Sequence, residues 1–109
     1  MTKQAEVQWS SAEKNVAEAA LKKAYMREVE ALIQAVREQA GSVSLLDEVW
    51  QLHDFLSARR HDIDGKYDSR ESFLIFTLSR LVKEGWLDLS ELAGLEASKR
   101  AKVTVLTRM

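Results

Sequence analysis

The stretch SSAEKNVAEAALKKAYMREVEALIQAVREQAG, Ser10 to Gly41, decides the fold. It opens on Ser10-Ser11-Ala12-Glu13, where a serine hydroxyl can accept from a free backbone N–H and Glu13 can reach back to complete a capping box, with Trp9 as an apolar staple just before it. Ala17, Ala20, Leu21, Ala24, Tyr25, Val29, Leu32, Ile33 and Val36 then recur at three- and four-residue spacing with no breaker until Gly41. The pattern predicts one helix of roughly 29 residues, about 43 Å long, whereas a compact chain of this size has a diameter of about 34 Å. Such a helix overhangs its own domain. Its apolar stripe would face water beyond the overhang, and a second copy related by a two-fold axis is the simplest cover.

Outward from that helix, the 109-residue chain has no proline and only four glycines, the composition of a helical protein. Gly41 and Gly85 follow long periodic segments, Gly65 sits in a polar stretch, and Gly94 separates two short leucine-bearing pieces. A second start at Ser44-Leu45-Leu46-Asp47 opens a helix through about Arg59, with Leu45, Val49, Leu52, Phe55 and Leu56 as its expected core-facing stripe. Residues 59–67 read as a charged connector with a turn at Gly65. Asp68-Ser69-Arg70-Glu71 is the expected cap of a third helix, apolar almost all round, that runs to Gly85. A short helix near Leu89 to Ala93 and a last one from about Leu95 to Leu106 complete the chain. The expected fold is all-α and a single domain over residues 1–109.

Sixteen Lys and Arg against seventeen Asp and Glu give a net charge of −1, which argues against nucleic acid as a partner. The charge is unevenly spread: residues 95–109 hold four basic side chains against Glu96, while residues 41–94 hold six basic against ten acidic, a polarity able to orient a partner. The absence of cysteine removes disulfides and thiolate chemistry and makes an intracellular compartment the default expectation. The charged first 30 residues do not read as a signal peptide, and no apolar run is long enough to span a membrane.

No catalytic or phosphate-binding motif is present, and the two histidines, His53 and His61, are a weak signal for a metal. No small-molecule substrate or cofactor is expected. Trp50, His53 and Asp54 stand at i, i+3 and i+4 on one surface of the second helix. That surface is either a half-exposed face with one aromatic anchor, or a desolvated polar cluster across a dimer axis in which Asp54 meets an arginine such as Arg60 of the other copy. Adjacent helical residues point about 100° apart, so His53 and Asp54 would not ordinarily bond to each other. Phe76 reads equally as core or as an exposed aromatic near the charged border of Arg80 and Lys83. Lys99, Arg100 and Lys102 read as a solvated helix face.

The run Trp50-Gln51-Leu52-His53-Asp54-Phe55-Leu56-Ser57 followed by Arg60-His61-Asp62-Ile63-Asp64-Gly65-Lys66-Tyr67-Asp68 resembles the fluorescence recovery protein family of cyanobacteria. Total length, the Trp9-Ser10 start and the Lys-Ala-Tyr at Tyr25 agree with it, so the resemblance covers essentially the whole chain. It implies a non-enzymatic, cofactor-free, dimeric regulator without a metal, in which a long N-terminal helix forms an antiparallel-type homodimer through about residues 10–60 and about residues 61–109 form a small helical head. Such a regulator binds the C-terminal domain of the photoactivated orange carotenoid protein, accelerates its red-to-orange return and promotes its release from the phycobilisome. It implies a cytoplasmic location, peripheral to the thylakoid through the phycobilisome. Carried over by position, Trp50, His53, Asp54 and Arg60 resemble a polar patch near the dimer interface, and Phe76 and Lys102 resemble the head's partner contacts. Val49 stands where leucine would be expected in the interface, a small departure that bears on dimer strength. Association beyond the dimer stays open, and the alternative is a helical dimer of the same kind serving a different protein as adaptor or signalling module.

Overall fold

The computed structural model describes residues 8–109 and contains four α-helices: α1 (Ser11–Gly41), α2 (Leu46–Lys66), α3 (Leu74–Lys83) and α4 (Ala97–Thr107), with one 3-10 turn at Leu89–Leu92. No strand occurs among the described residues, so the all-α expectation holds. The molecule measures 59 × 28 × 24 Å with a radius of gyration of 17.2 Å, where a compact chain would have about 13 Å. The excess comes from α1, whose 31 residues extend about 46 Å.

Ser10 caps α1 as its sequence predicts: its hydroxyl accepts from the Glu13 N–H at 3.1 Å, and the Glu13 carboxylate accepts from the Ser10 N–H at 3.2 Å. Residues 42–45 turn the chain back, and the Glu48 carboxylate accepts from the N–H groups of Ser44 and Leu45, each at 2.9 Å. That carboxylate reaches back to the N-cap backbone as the glutamate of a capping box does, while Leu45 itself offers no side-chain cap.

α2 departs from expectation at both its end and its face. It continues through the supposed connector to Lys66, and Gly65 lies inside it without positive φ. Ion pairs within the helix, Arg59–Asp62, Arg60–Asp64 and Asp62–Lys66, reinforce a segment without apolar periodicity. Nor does its apolar stripe face the core, for Leu45, Val49 and Leu56 are exposed and Leu52 and Phe55 only half-buried. α2 packs chiefly on α1, and only its last turns reach α3, through Asp62–Arg80 and Lys66–Glu84, so no second layer covers its apolar stripe within one protomer.

The core lies at the other end. Ala17, Ala20, Leu21 and Ala24 of α1 meet Leu74, Ile75, Leu78 and Leu81 of α3, with Leu87, Leu92, Leu95 and Val103 behind them. The four core positions of α1 occupy only its first half. Farther along, Tyr25 and Ile33 are exposed and Val29, Leu32 and Val36 half-buried, as the overhang argument requires. Gly94 brings the backbone of the head close against α1, since a Cβ there would lie 2.6 Å from Val16 Cγ2.

α3 begins at Leu74, five residues after the start that a cap at Asp68 predicts. Asp68 accepts from the Arg70 N–H at 3.0 Å and also pairs with the Arg70 guanidinium, which builds a turn rather than a helix start. The helix ends as predicted at Gly85, whose φ of +89° suits glycine, and the Trp86 N–H closes on the Leu81 carbonyl at 2.9 Å.

Candidate functional site

Three charged ties fix the head to α1 between Glu13 and Glu28. The innermost tie centres on Lys66, whose ammonium donates to Glu28 Oε2 at 2.6 Å and Glu84 Oε1 at 2.7 Å and lies 3.3 Å from Asp62 Oδ2. Arg59 reaches the same Glu28 oxygen at 2.7 Å, and the Tyr67 hydroxyl donates to the other Glu28 oxygen at 2.7 Å. Arg80 joins Asp62 and Glu84 on the outer side. Burial alone would lower the Lys66 pKa, but bonds to Glu28 and Glu84 outweigh it and raise it. Burial and the bonded Glu28 carboxylate together push the Tyr67 phenol up, so it stays protonated and donates.

At the start of α1, Glu13 accepts from the Glu96 N–H and the Lys99 ammonium, each at 2.9 Å. Those two bonds, in that order, hold its carboxyl down at about 2. Lys99 also lies 5.1 Å from the Trp9 ring centroid, so this lysine is buried between an anion and an aromatic face, not solvated as its helix pattern suggests. In the third tie the Arg27 guanidinium forks onto both oxygens of Glu91 at 2.8 Å and donates to the Trp86 carbonyl at 2.9 Å.

Pattern reading names Glu13 only as a capping residue and Lys99 as a surface lysine and misses the buried ion pairs, although a signal existed. Glu13 and Glu28 stand on the same helical stripe as Ala17, Ala20 and Ala24, and Lys99 stands four residues from both Leu95 and Val103. Charges at apolar-stripe positions mark buried pairs.

The residues singled out from sequence sit on two surfaces. Val49 (41% exposed), Trp50 (56%), His53, Asp54 and Arg60 lie along the outer face of α2. His53 Nδ1 and Asp54 Oδ1 come within 3.3 Å, contrary to expectation, because both exposed side chains lean together above the helix surface. Arg60 lies 3.8 Å from Asp64 instead of meeting Asp54 within the protomer. Phe76 is 61% exposed on α3, which decides between its two readings in favour of the surface, and Lys102 is exposed on α4. Among the described residues no group of three or more metal-ligating side chains is arranged to hold an ion, and no helix is long and apolar enough to cross a membrane. The three carboxylates that do converge are filled by the Lys66 ammonium.

An elongated helical hairpin with an uncovered apolar and polar face, carrying a small head fixed to it by ion pairs, is the class of protein these features define. The chain belongs to the fluorescence recovery protein family: residues 9–107 match the family model for the photoprotection regulator fluorescence recovery protein. It is 47% identical to the fluorescence recovery protein of Synechocystis sp., over the full length of both chains. The solved structure of the Fremyella diplosiphon fluorescence recovery protein superposes with a TM-score of 0.91 at 53% identity, covering 94% of this chain and all of that one. That of the Synechocystis protein superposes with the same score at 47% identity and the same coverage.

Proposed function

We propose that the chain is a non-enzymatic regulator that binds the C-terminal domain of the photoactivated orange carotenoid protein. It accelerates the carotenoid protein's red-to-orange return and promotes its detachment from the phycobilisome. Family membership supports the photoprotective role, and the observation that carries the partner surface is Phe76, a large aromatic presented to solvent by a helix whose other face is core. Lys102 on the neighbouring helix supplies a positive charge for an acidic border. The reading includes a homodimer, built where α1 and α2 expose Ile33, Val49, Trp50 and Leu56, with His53, Asp54 and Arg60 as the polar members of the interface. Its site of action is the cytoplasmic face of the thylakoid, reached through the phycobilisome.

A protein that speeds a conformational return without covalent chemistry must bind the arrangement between the two states more tightly than the starting red state. A differential of about 3 kcal/mol gives roughly 100-fold acceleration, within reach of one buried aromatic anchor and a few charge pairs. Two heads on one dimer raise the effective concentration of the second contact.

The test is the red-to-orange absorbance change in the dark. The unmodified protein is expected to accelerate it, Phe76→Asp to lose the effect while remaining helical by circular dichroism, and Lys102→Glu to weaken it in a salt-dependent way. Normal acceleration by folded Phe76→Asp refutes Phe76 as the anchor. No acceleration by the unmodified chain favours a different partner for the same helical dimer.

A further inference from the structure

Phe76 is not isolated on α3. Phe73, Phe76, Arg80 and Lys83 follow one another at spacings of three and four, so they form one stripe of the helix, and all four are exposed. Arg70 extends the stripe across the turn before the helix: its guanidinium carbon lies 4.4 Å from the Phe73 ring centroid, while the fork on Asp68 fixes its orientation. Arg80 is held from the other side by Asp62 and Glu84. Lys83 has no ion pair among the described residues. Two phenylalanine rings are thus bracketed by two pre-oriented guanidiniums and one unneutralised ammonium.

We infer that Arg70, Phe73, Phe76, Arg80 and Lys83 form one continuous recognition ridge, fitted to an apolar surface rimmed by carboxylates on the partner of the preceding reading, on which this inference rests. The chemistry excludes the other obvious occupant. A second copy of the ridge packed across a two-fold axis would bring Lys83 only another lysine or guanidiniums already paired to Asp68, Asp62 and Glu84 of their own chain, and so no counter-charge. A partner with carboxylates around an apolar patch covers both rings and gives Lys83 the counter-charge it lacks. Phe73 contributes a second anchor, and Arg70, already stacked and forked, loses little freedom when the partner closes over it.

The test compares binding of photoactivated orange carotenoid protein by the unmodified chain, Phe73→Ala, Lys83→Glu and Lys22→Glu, the last a matched charge reversal on exposed α1. Phe73→Ala is expected to weaken binding about tenfold, and Lys83→Glu by a similar factor with a shallower dependence on salt, while Lys22→Glu binds as the unmodified chain does. If Phe73→Ala lowers helical content, Lys83→Glu carries the test, since its side chain is exposed. Affinity within twofold of the unmodified chain for both ridge variants overturns the ridge and leaves the proposed function standing. A weakened self-association of the ridge variants in sedimentation velocity overturns it in favour of a contact between copies. Failure of the unmodified chain to bind overturns the functional reading and the ridge with it.

Discussion

Glu28 and Lys66, 38 residues apart in sequence, meet at 2.6 Å with no solvent access to either side chain. This contact joins the middle of α1 to the last turn of α2, and through Glu84 it reaches the end of α3. Each Glu28 oxygen is occupied, one by Lys66 and Arg59 and the other by Tyr67, so burial leaves no acceptor unsatisfied. Removing one member is the costly change, because the remaining charges stay buried. Glu28→Ala is expected to lower stability by about 3 kcal/mol, measured by urea unfolding, and a loss under about 1 kcal/mol would show that water reaches the cluster.

Acid should loosen the head through Glu13 and Glu91. The Glu96 N–H and Lys99 hold the first at about 2, and Arg27 with the Asp88 N–H holds the second at about 2, each from a usual value of 4.5. Both folded pKa values are depressed, so their stabilisation is fully present above about pH 4.5 and is lost as pH falls toward about 2. For buried Glu13 this amounts to on the order of 2–3 kcal/mol. Thermal unfolding followed from pH 6 down to pH 2 should show that loss, and Glu13→Gln should remove part of the slope.

Self-association should depend on the uncovered face of α2. Light scattering at micromolar concentration is expected to report a dimer, and Val49→Glu a monomer of unchanged helicity. A carboxylate buried there without a partner weakens association by about 100-fold or more. A monomeric unmodified chain at that concentration would remove the dimer from the proposal.

Asp54 and Arg60 should couple only between copies. Within one protomer Asp54 leans on His53 and Arg60 on Asp64, and no contact joins them. A double-mutant cycle on dimer affinity is expected to give more than about 1 kcal/mol, whereas additive effects within about 0.3 kcal/mol would assign the two residues separate purposes.

Local signals proved the most readable. The Ser10–Glu13 box and the stop at Gly85 each need only a few neighbouring residues to act, and both stand in the structure as the sequence predicts. The end of α2 was not readable, because Arg59 to Lys66 is held by pairs within the helix and by Glu28 on another helix, and periodicity of apolar residues is silent about both. The same blindness turned buried Lys99 into an expected surface lysine. On the site, spacing gathered Trp50, His53 and Asp54 on one face. The exposure of Phe76 needed the packing of α3 on α4, which depends on the whole head.

The last buried residue of α1 is Glu28, and between it and Lys66 the chain runs out along both helices of the hairpin and back without entering the core. Backbone amides there are protected by helical hydrogen bonds alone, whereas those of Leu78, Leu81 and Val103 open only when the head unfolds. Hydrogen–deuterium exchange should therefore divide the chain into a fast tier near residues 30–58 and a slow tier in the head. If a second copy covers the hairpin, dilution alone should quicken the fast tier and leave the slow one unchanged, making the arm's exchange rate a gauge of assembly.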